Sequence, residues 1–159
     1  LRVLSGIFQP TQGRFHYHGK IVPVLELGLN FFPDLTGREN ILLYATIFKL
    51  SKKEALHRAD RVLEFADITE FGDVPVMKYS PGMKTKLSYA VTTVHEPDIL
   101  LLDEDFSVGD QEFQERCLEH FKQLKKENKI IIFVTNNPIQ ANKISDVRYK
   151  LKKGQLFKP

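Results

Sequence analysis

Two short stretches of unbroken apolar residues punctuate the chain, Ile99 to Leu102 and Ile130 to Val134. Polar residues bound both: Pro97-Asp98 and Asp103-Glu104 around the first, Lys129 and Thr135-Asn136-Asn137 around the second. Runs of this length and composition predict strands buried on both faces, as in a parallel sheet. A further strand is predicted over Ile21 to Leu25, and alternation over Arg14 to His18 predicts a half-exposed one. Between these the apolar spacing becomes helical. Thr36-Gly37-Arg38-Glu39 is a capping box ahead of an apolar-periodic run from Ile41 to Leu50, and Ser51-Lys52-Lys53-Glu54 is a second, opening a helix from 52 to 66. Ser80 suits an N-cap and Pro81 a first helical position, which predicts a helix over Met83 to His95. Helical spacing of Phe113, Cys117, Leu118, Phe121 and Leu124 predicts another over Gln111 to Asn128, and Pro138 to Ile144 forms a short one. Val147 to Leu151 and Gln155 to Phe157 read as a hairpin around Lys152-Lys153-Gly154. Leu1 to Gly6 reads as the last turns of a helix closed by Gly6. The alternation of Ile/Leu/Val-rich strands with helices predicts an α/β fold with a largely parallel sheet. The two successive helices after residue 36 interrupt that rhythm and predict a helical subdomain on one side.

Composition narrows the class. A chain of 159 residues suits one domain. Its formal charge of +3 is spread over small clusters at Lys52-Lys53, Lys125-Lys126 and Lys150 to Lys153, which read as solvated faces, so no nucleic-acid partner is expected. The single cysteine, Cys117, has no intrachain partner and falls at a core position of its helix. No apolar run approaches the roughly 18 residues of a membrane span. His16 and His18 share one face of their segment, but no third ligand is near in sequence, so a surface face is the better reading than a metal site.

The chemistry-bearing residues cluster at element ends. Acids that end a buried strand lie where open α/β sheets bind ligands. Asp103 is therefore a candidate to hold a metal ion, in part through water, and Glu104 to orient or activate a water. Ser80 to Met83, at the start of a helix, could present backbone N–H groups to a phosphate; taken alone, they describe an ordinary capped helix.

Read together, these pieces resemble the nucleotide-binding subunit of an ABC transporter. Tyr79-Ser80-Pro81-Gly82-Met83 resembles the signature loop, Ile99 to Glu104 the Walker B strand, and Ser107-Val108-Gly109-Asp110 the D-loop. Val134-Thr135-Asn136-Asn137 stands where the switch-histidine loop falls. Leu25-Glu26-Leu27-Gly28 and Phe32-Pro33-Asp34-Leu35-Thr36-Gly37-Arg38-Glu39-Asn40 resemble the branch that exports cell-surface polysaccharides: O-antigen, capsule and teichoic acid. The resemblance implies a P-loop NTPase-like α/β domain over residues 1–159 with a helical subdomain inserted at about 37–95. It implies ATP and Mg²⁺ as ligands, with Asp103 binding the metal through water and Glu104 and Asn136 at catalytic positions. Ser80, Gly82, Met83 and Asp110 would contact nucleotide across a homodimer formed by the signature loop and D-loop. It further implies a membrane permease as partner, and a cytoplasmic location at the inner face of the membrane through that permease.

Three departures qualify these implications. No G-x-x-x-x-G-K-[ST] phosphate loop occurs in the chain, and in the family that loop immediately precedes the helix that Leu1 to Gly6 would end, so an N-terminally truncated domain, inactive alone, is expected. Asn136 replaces the switch histidine and cannot act as acid or base near neutral pH. Pro81 removes one backbone donor from the signature turn. The usual Q-loop glutamine is also absent, with Glu26 or Leu27 near its place, and that fits the polysaccharide-export branch. The rival expectation is a degenerate domain of the same type that binds a partner without hydrolysis.

Overall fold

A computed structural model of the protein describes residues 1–24, 31–47, 50–93, 96–103 and 109–158. Three parallel strands, β1 (Ile21–Val24), β2 (Ile99–Asp103) and β3 (Ile130–Val134), pair in the order β1-β2-β3. The register sets Ile21 beside Ile99 and Ile99 beside Ile130, so the three strands start level. Asp98 fixes that start. Its carboxylate accepts the Lys20 backbone N–H at 2.8 Å and the Lys129 ammonium at 2.7 Å, joining the residues that precede all three strands. These two donors, Lys129 foremost, hold the Asp98 carboxyl below its ordinary range.

The central strand behaves as its composition predicts: Ile99 to Leu102 are buried and Asp103 emerges. β3 does not. The sequence predicts burial on both faces, yet Ile130 and Val134 are exposed and the residues between them only half-buried. The reason is position, since β3 is an edge of the described sheet and nothing described covers its outer side. The Arg14 to His18 segment likewise differs from expectation. It is not a strand, because alternation supplies no pairing partner; Phe15 and Tyr17 stack on each other, ring centroids 5.8 Å apart. Leu1 to Gly6 is a single closed turn rather than an assigned helix, with Ser5 N–H donating to the Leu1 carbonyl and Gly6 at φ +79°.

The helices are α1 (Gly37–Ile47), α2 (Lys52–Phe65), α3 (Pro81–Thr93), α4 (Gln111–Lys126) and α5 (Pro138–Ile144), followed by the antiparallel pair β4 (Lys150–Lys152) and β5 (Gln155–Phe157). Both predicted capping boxes form. Glu39 accepts from Thr36 N–H at 2.8 Å while Thr36 Oγ1 accepts from Glu39 N–H at 3.1 Å, and Ser51 and Glu54 exchange the equivalent bonds.

Two cores organise the chain. One, in the helical subdomain, gathers Ile41 and Ala45 from α1, Ala55, Ala59, Val62 and Leu63 from α2, and Leu87, Ala90 and Val91 from α3. The other lies under the sheet and joins Val22, Leu100 and Leu102 to Phe113, Cys117, Phe121 and Leu124 of α4, with Tyr89 of α3 among them. α3 is thus buried on opposite sides by two cores, which explains why its sequence shows no clean polar face. Burial also pushes the Cys117 thiol up to about 12, making it a packing residue as expected.

Candidate functional site

The carboxyl ends of the strands share one rim. Asp103 ends β2 beside Val134, the last residue of β3, and its side chain is exposed with no described cation paired to it. Glu104, together with Ser107, Val108 and the Leu25 to Gly28 stretch, lies outside the described residues. Just past β3, Thr135 Oγ1 accepts from Asn137 N–H at 3.0 Å, and Asn137 caps α5 by accepting from Ile139 N–H at 3.0 Å. The turn is held by those two residues, and Asn136 between them is left exposed.

The second group stands at the tip of α3. Ser80 caps the helix, its Oγ accepting from Met83 N–H at 3.1 Å, and Pro81 occupies the first helical position as predicted. Ser80, Pro81 and Gly82 are exposed. A Cβ on Gly82 would meet nothing nearer than Ser80 Oγ at 3.8 Å, so the chain's own packing does not require glycine there. Met83 turns the other way and packs against the helical core, so what remains at the tip is backbone and the Ser80 hydroxyl.

Tyr79, immediately before the tip, is buried and donates its hydroxyl to the Phe71 carbonyl at 2.6 Å. Its ring end rests on Gly37 at the start of α1. The neighbouring Asn40 is fully buried and saturates its amide: Oδ1 accepts from Phe32 N–H at 2.9 Å, while Nδ2 lies within bonding distance of the carbonyls of Phe32, Leu35 and Thr36. Arg38 bonds Asp60 at 2.6 Å and Asp73 at 3.1 Å. Residues of the Thr36 to Asn40 run therefore build the support under the tip.

Asp110 serves the chain itself. One carboxylate oxygen caps α4 by accepting from Phe113 N–H at 2.9 Å, and the other meets Lys86 Nζ at 2.6 Å. The lysine, and secondarily the helix N–H, hold this carboxyl below the usual carboxylate range. The preceding Gly109 has φ +80°, and a Cβ there would press on Phe113 Cδ1 at 2.9 Å, so the entry to α4 requires glycine. Sequence reasoning gave Lys86 no partner; the acid three residues before Phe113 was its signal, visible only once α3 and α4 are packed.

No hydrogen bond or ion pair joins Ser80 to Asp103. The two groups sit on different elements, one at the tip of a subdomain helix and the other at the sheet's rim. A single exposed carboxylate fits Mg²⁺, which takes one or two carboxylates and keeps its waters and phosphate oxygens. No cluster of three or more metal-ligating side chains occurs among the described residues. A cleft of about 760 Å³ opens between α2 and α4, past Arg58, Phe65, Arg116 and His120, and none of the candidate residues lines it. No described helix is long and apolar enough to cross a membrane.

Helices packed beside a parallel sheet whose carboxyl rim bears an acid describe an open α/β fold, and its match to a solved ATP-binding cassette makes it P-loop NTPase-like. Residues 1–107 match the ABC transporter family model, and the chain belongs to that family. The O-antigen export system ATP-binding protein RfbB of Klebsiella pneumoniae is 42% identical over 146 residues, which are 92% of this chain and 59% of that protein. The teichoic acids export ATP-binding protein TagH of Shouchella clausii is 36% identical over 155 residues, 97% of this chain and 42% of that protein. The chain therefore spans well under two-thirds of either relative. Among solved structures, the ATP-binding cassette MJ0796, a dimer in a post-hydrolysis state bound to ADP and Pi, matches with a TM-score of 0.69 at 26% identity, over 87% of this chain and 62% of that one.

Proposed function

We propose that this chain is the greater part of the ATP-hydrolysing domain of an ABC transporter that exports a cell-surface polysaccharide. The separation of the Asp103 rim from the exposed α3 tip carries the reading. Neither group holds a triphosphate by itself, but the rim of one copy facing the tip of another would form two sides of such a site, the phosphate loop supplying the third. Similarity to O-antigen and teichoic-acid export ATP-binding proteins supports the polysaccharide branch, and the dimeric cassette supports a homodimer.

In this reading Asp103 would hold Mg²⁺, in part through water, and Glu104 would polarise the attacking water. Asn136 hydrogen-bonds a γ-phosphoryl oxygen without taking a proton. Ser80 and Gly82 offer a hydroxyl and a backbone donor to the nucleotide of the opposite copy, with Met83 beside them, its N–H held by Ser80 Oγ until the nucleotide draws that cap away, and Asp110 lies at the dimer contact. ATP brings the phosphoryl group to be transferred, and its binding needs a glycine-rich loop and lysine that these 159 residues do not contain. The permease would dock on the helical subdomain, placing the protein at the cytoplasmic face of a membrane.

Two measurements test this. Titrated with a fluorescent ATP analogue and Mg²⁺, the 159-residue chain binds weakly or not at all; micromolar binding overturns the role assigned to the absent loop. Expressed with its flanking coding sequence, the protein releases phosphate from ATP and Glu104→Gln abolishes that release. Equal rates would favour the second reading, a non-hydrolytic partner-binding domain, which Asn136 and Pro81 motivate. Asn136→His raises turnover if the missing imidazole limits it.

A further inference from the structure

Lys86 follows Ser80 by six residues on α3, and its charge turns into the molecule instead of toward a ligand. Its side chain is only 13% exposed. The ammonium lies 2.6 Å from Asp110 Oδ2, 3.9 Å from Asp67 Oδ2 and 5.8 Å from the centroid of the Phe113 ring. Three elements converge there: Asp67 follows α2, Lys86 belongs to α3, and Asp110 opens α4.

The body of α3 is gripped continuously from Leu87 onward, where six consecutive residues are buried. Before it, Pro81, Gly82 and Lys84 are exposed, and Met83 alone is packed into the helical core. Lys86 is thus the last fixed point before the tip on the side that faces α4. Asp110 cannot follow a moving lysine, because its other oxygen is bound to the first turn of the helix that packs beneath the sheet.

We propose that Lys86 is a positioning residue which, through Asp110, sets the separation between the α3 tip at Ser80 and Gly82 and the sheet rim at Asp103 and Asn136. Its meaning for catalysis rests on the function proposed above; its geometry does not. A tip that must meet a nucleotide on another copy gains from being placed relative to its own rim, since both then approach the partner as one rigid pair.

Spin labels at Lys84→Cys, on the exposed tip, and at Asn136→Cys, past β3, report this separation in the nucleotide-free chain. Cys117 does not compete for label, being buried with its thiol pushed up to about 12. In Lys86→Ala the distance distribution broadens about twofold and its mean shifts, as expected where a local anchor is removed from an otherwise folded unit. Lys86→Arg keeps the narrow distribution. Asp110→Asn, which can still cap α4, broadens it as Lys86→Ala does, and carries the test should Lys86→Ala fail to fold. An unchanged distribution in a folded Lys86→Ala or Asp110→Asn protein, with only a lower melting temperature, makes the pair merely stabilising and overturns the proposal. Because no nucleotide is present, a failure to bind or hydrolyse ATP counts against the function and leaves this result standing.

Discussion

The hydroxyl of Tyr79 occupies the space that a side chain on Gly37 would need. Tyr79 precedes the α3 tip, and Gly37 begins α1, so this contact ties the tip to the start of the helical subdomain. Gly37→Ala forces the buried ring away and breaks the Tyr79 bond to the Phe71 carbonyl. The expected cost is about 1–3 kcal/mol, the range for overfilling a packed site. Tyr79→Phe loses the hydrogen bond but relieves the crowding, so the double variant is less destabilised than the sum of the two singles. Urea midpoints of the four proteins check this; strict additivity would mean the two residues act separately.

Asn40 is the polar residue on which the 32–36 loop closes, fully buried with its amide bonded on both ends. Asn40→Leu has similar volume but strands the Phe32 N–H, while the carbonyls of Phe32, Leu35 and Thr36 lose one donor and keep their backbone donors from Leu35, Val76 and Asn40. A stranded buried donor costs on the order of 1–3 kcal/mol, so destabilisation centred on the helical subdomain is the expected outcome. Amide exchange read residue by residue distinguishes loss confined to α1 and α2 from global unfolding.

What could be read in advance was whatever local chemistry dictates. Both capping boxes, the Ser80-Pro81 helix start and the central strand Ile99 to Asp103 need only their own residues to be recognised. Tertiary context decided the remainder. Ile130 to Val134 has the composition of a doubly covered strand, yet its exposure depends on what stands beside it. Arg14 to His18 alternates without a partner strand. The Phe32 to Asn40 run carried a family resemblance, but the work of its residues, Arg38 on two aspartates and Asn40 inside the loop, appears only when the 72–79 segment folds back against it. Lys86 and Asp110 are 24 positions apart, and no pattern in the chain links them.

His120 makes stability depend on pH. It is half-buried beside Phe65 and Tyr89, within hydrogen-bonding distance of the Tyr89 hydroxyl at 3.1 Å, and burial holds its pKa below the ordinary histidine value. Glu127 opposes that shift without reversing it. The unfolded chain therefore takes up a proton near pH 6.5 while the folded chain resists. The contribution is fully present above that pH and is lost as pH falls through the lower folded value. Denaturant midpoints measured from about pH 8 down to pH 5 should fall in the wild type, with a shallower slope in His120→Gln. Identical slopes would assign the pH dependence to other groups.

Gly82 separates what the fold needs from what a ligand needs. Within the chain its missing side chain is filled by nothing, and the position is helical, where alanine is preferred by roughly 0.5–1 kcal/mol. Gly82→Ala is therefore neutral or slightly stabilising in a denaturant titration. If the α3 tip meets a nucleotide held by a second copy, the added methyl enters the space between them. Expressed with its flanking coding sequence, the variant should lose Mg·ATP-dependent dimerisation by light scattering while still binding ATP to each monomer, because the nucleotide's first contacts lie on the other side. Gly82→Ser, larger still, should fail in the same way. Undiminished dimerisation in Gly82→Ala would show that the tip does not approach a partner closely, and the pairing of rim with tip would have to be abandoned even though ATP binding survived.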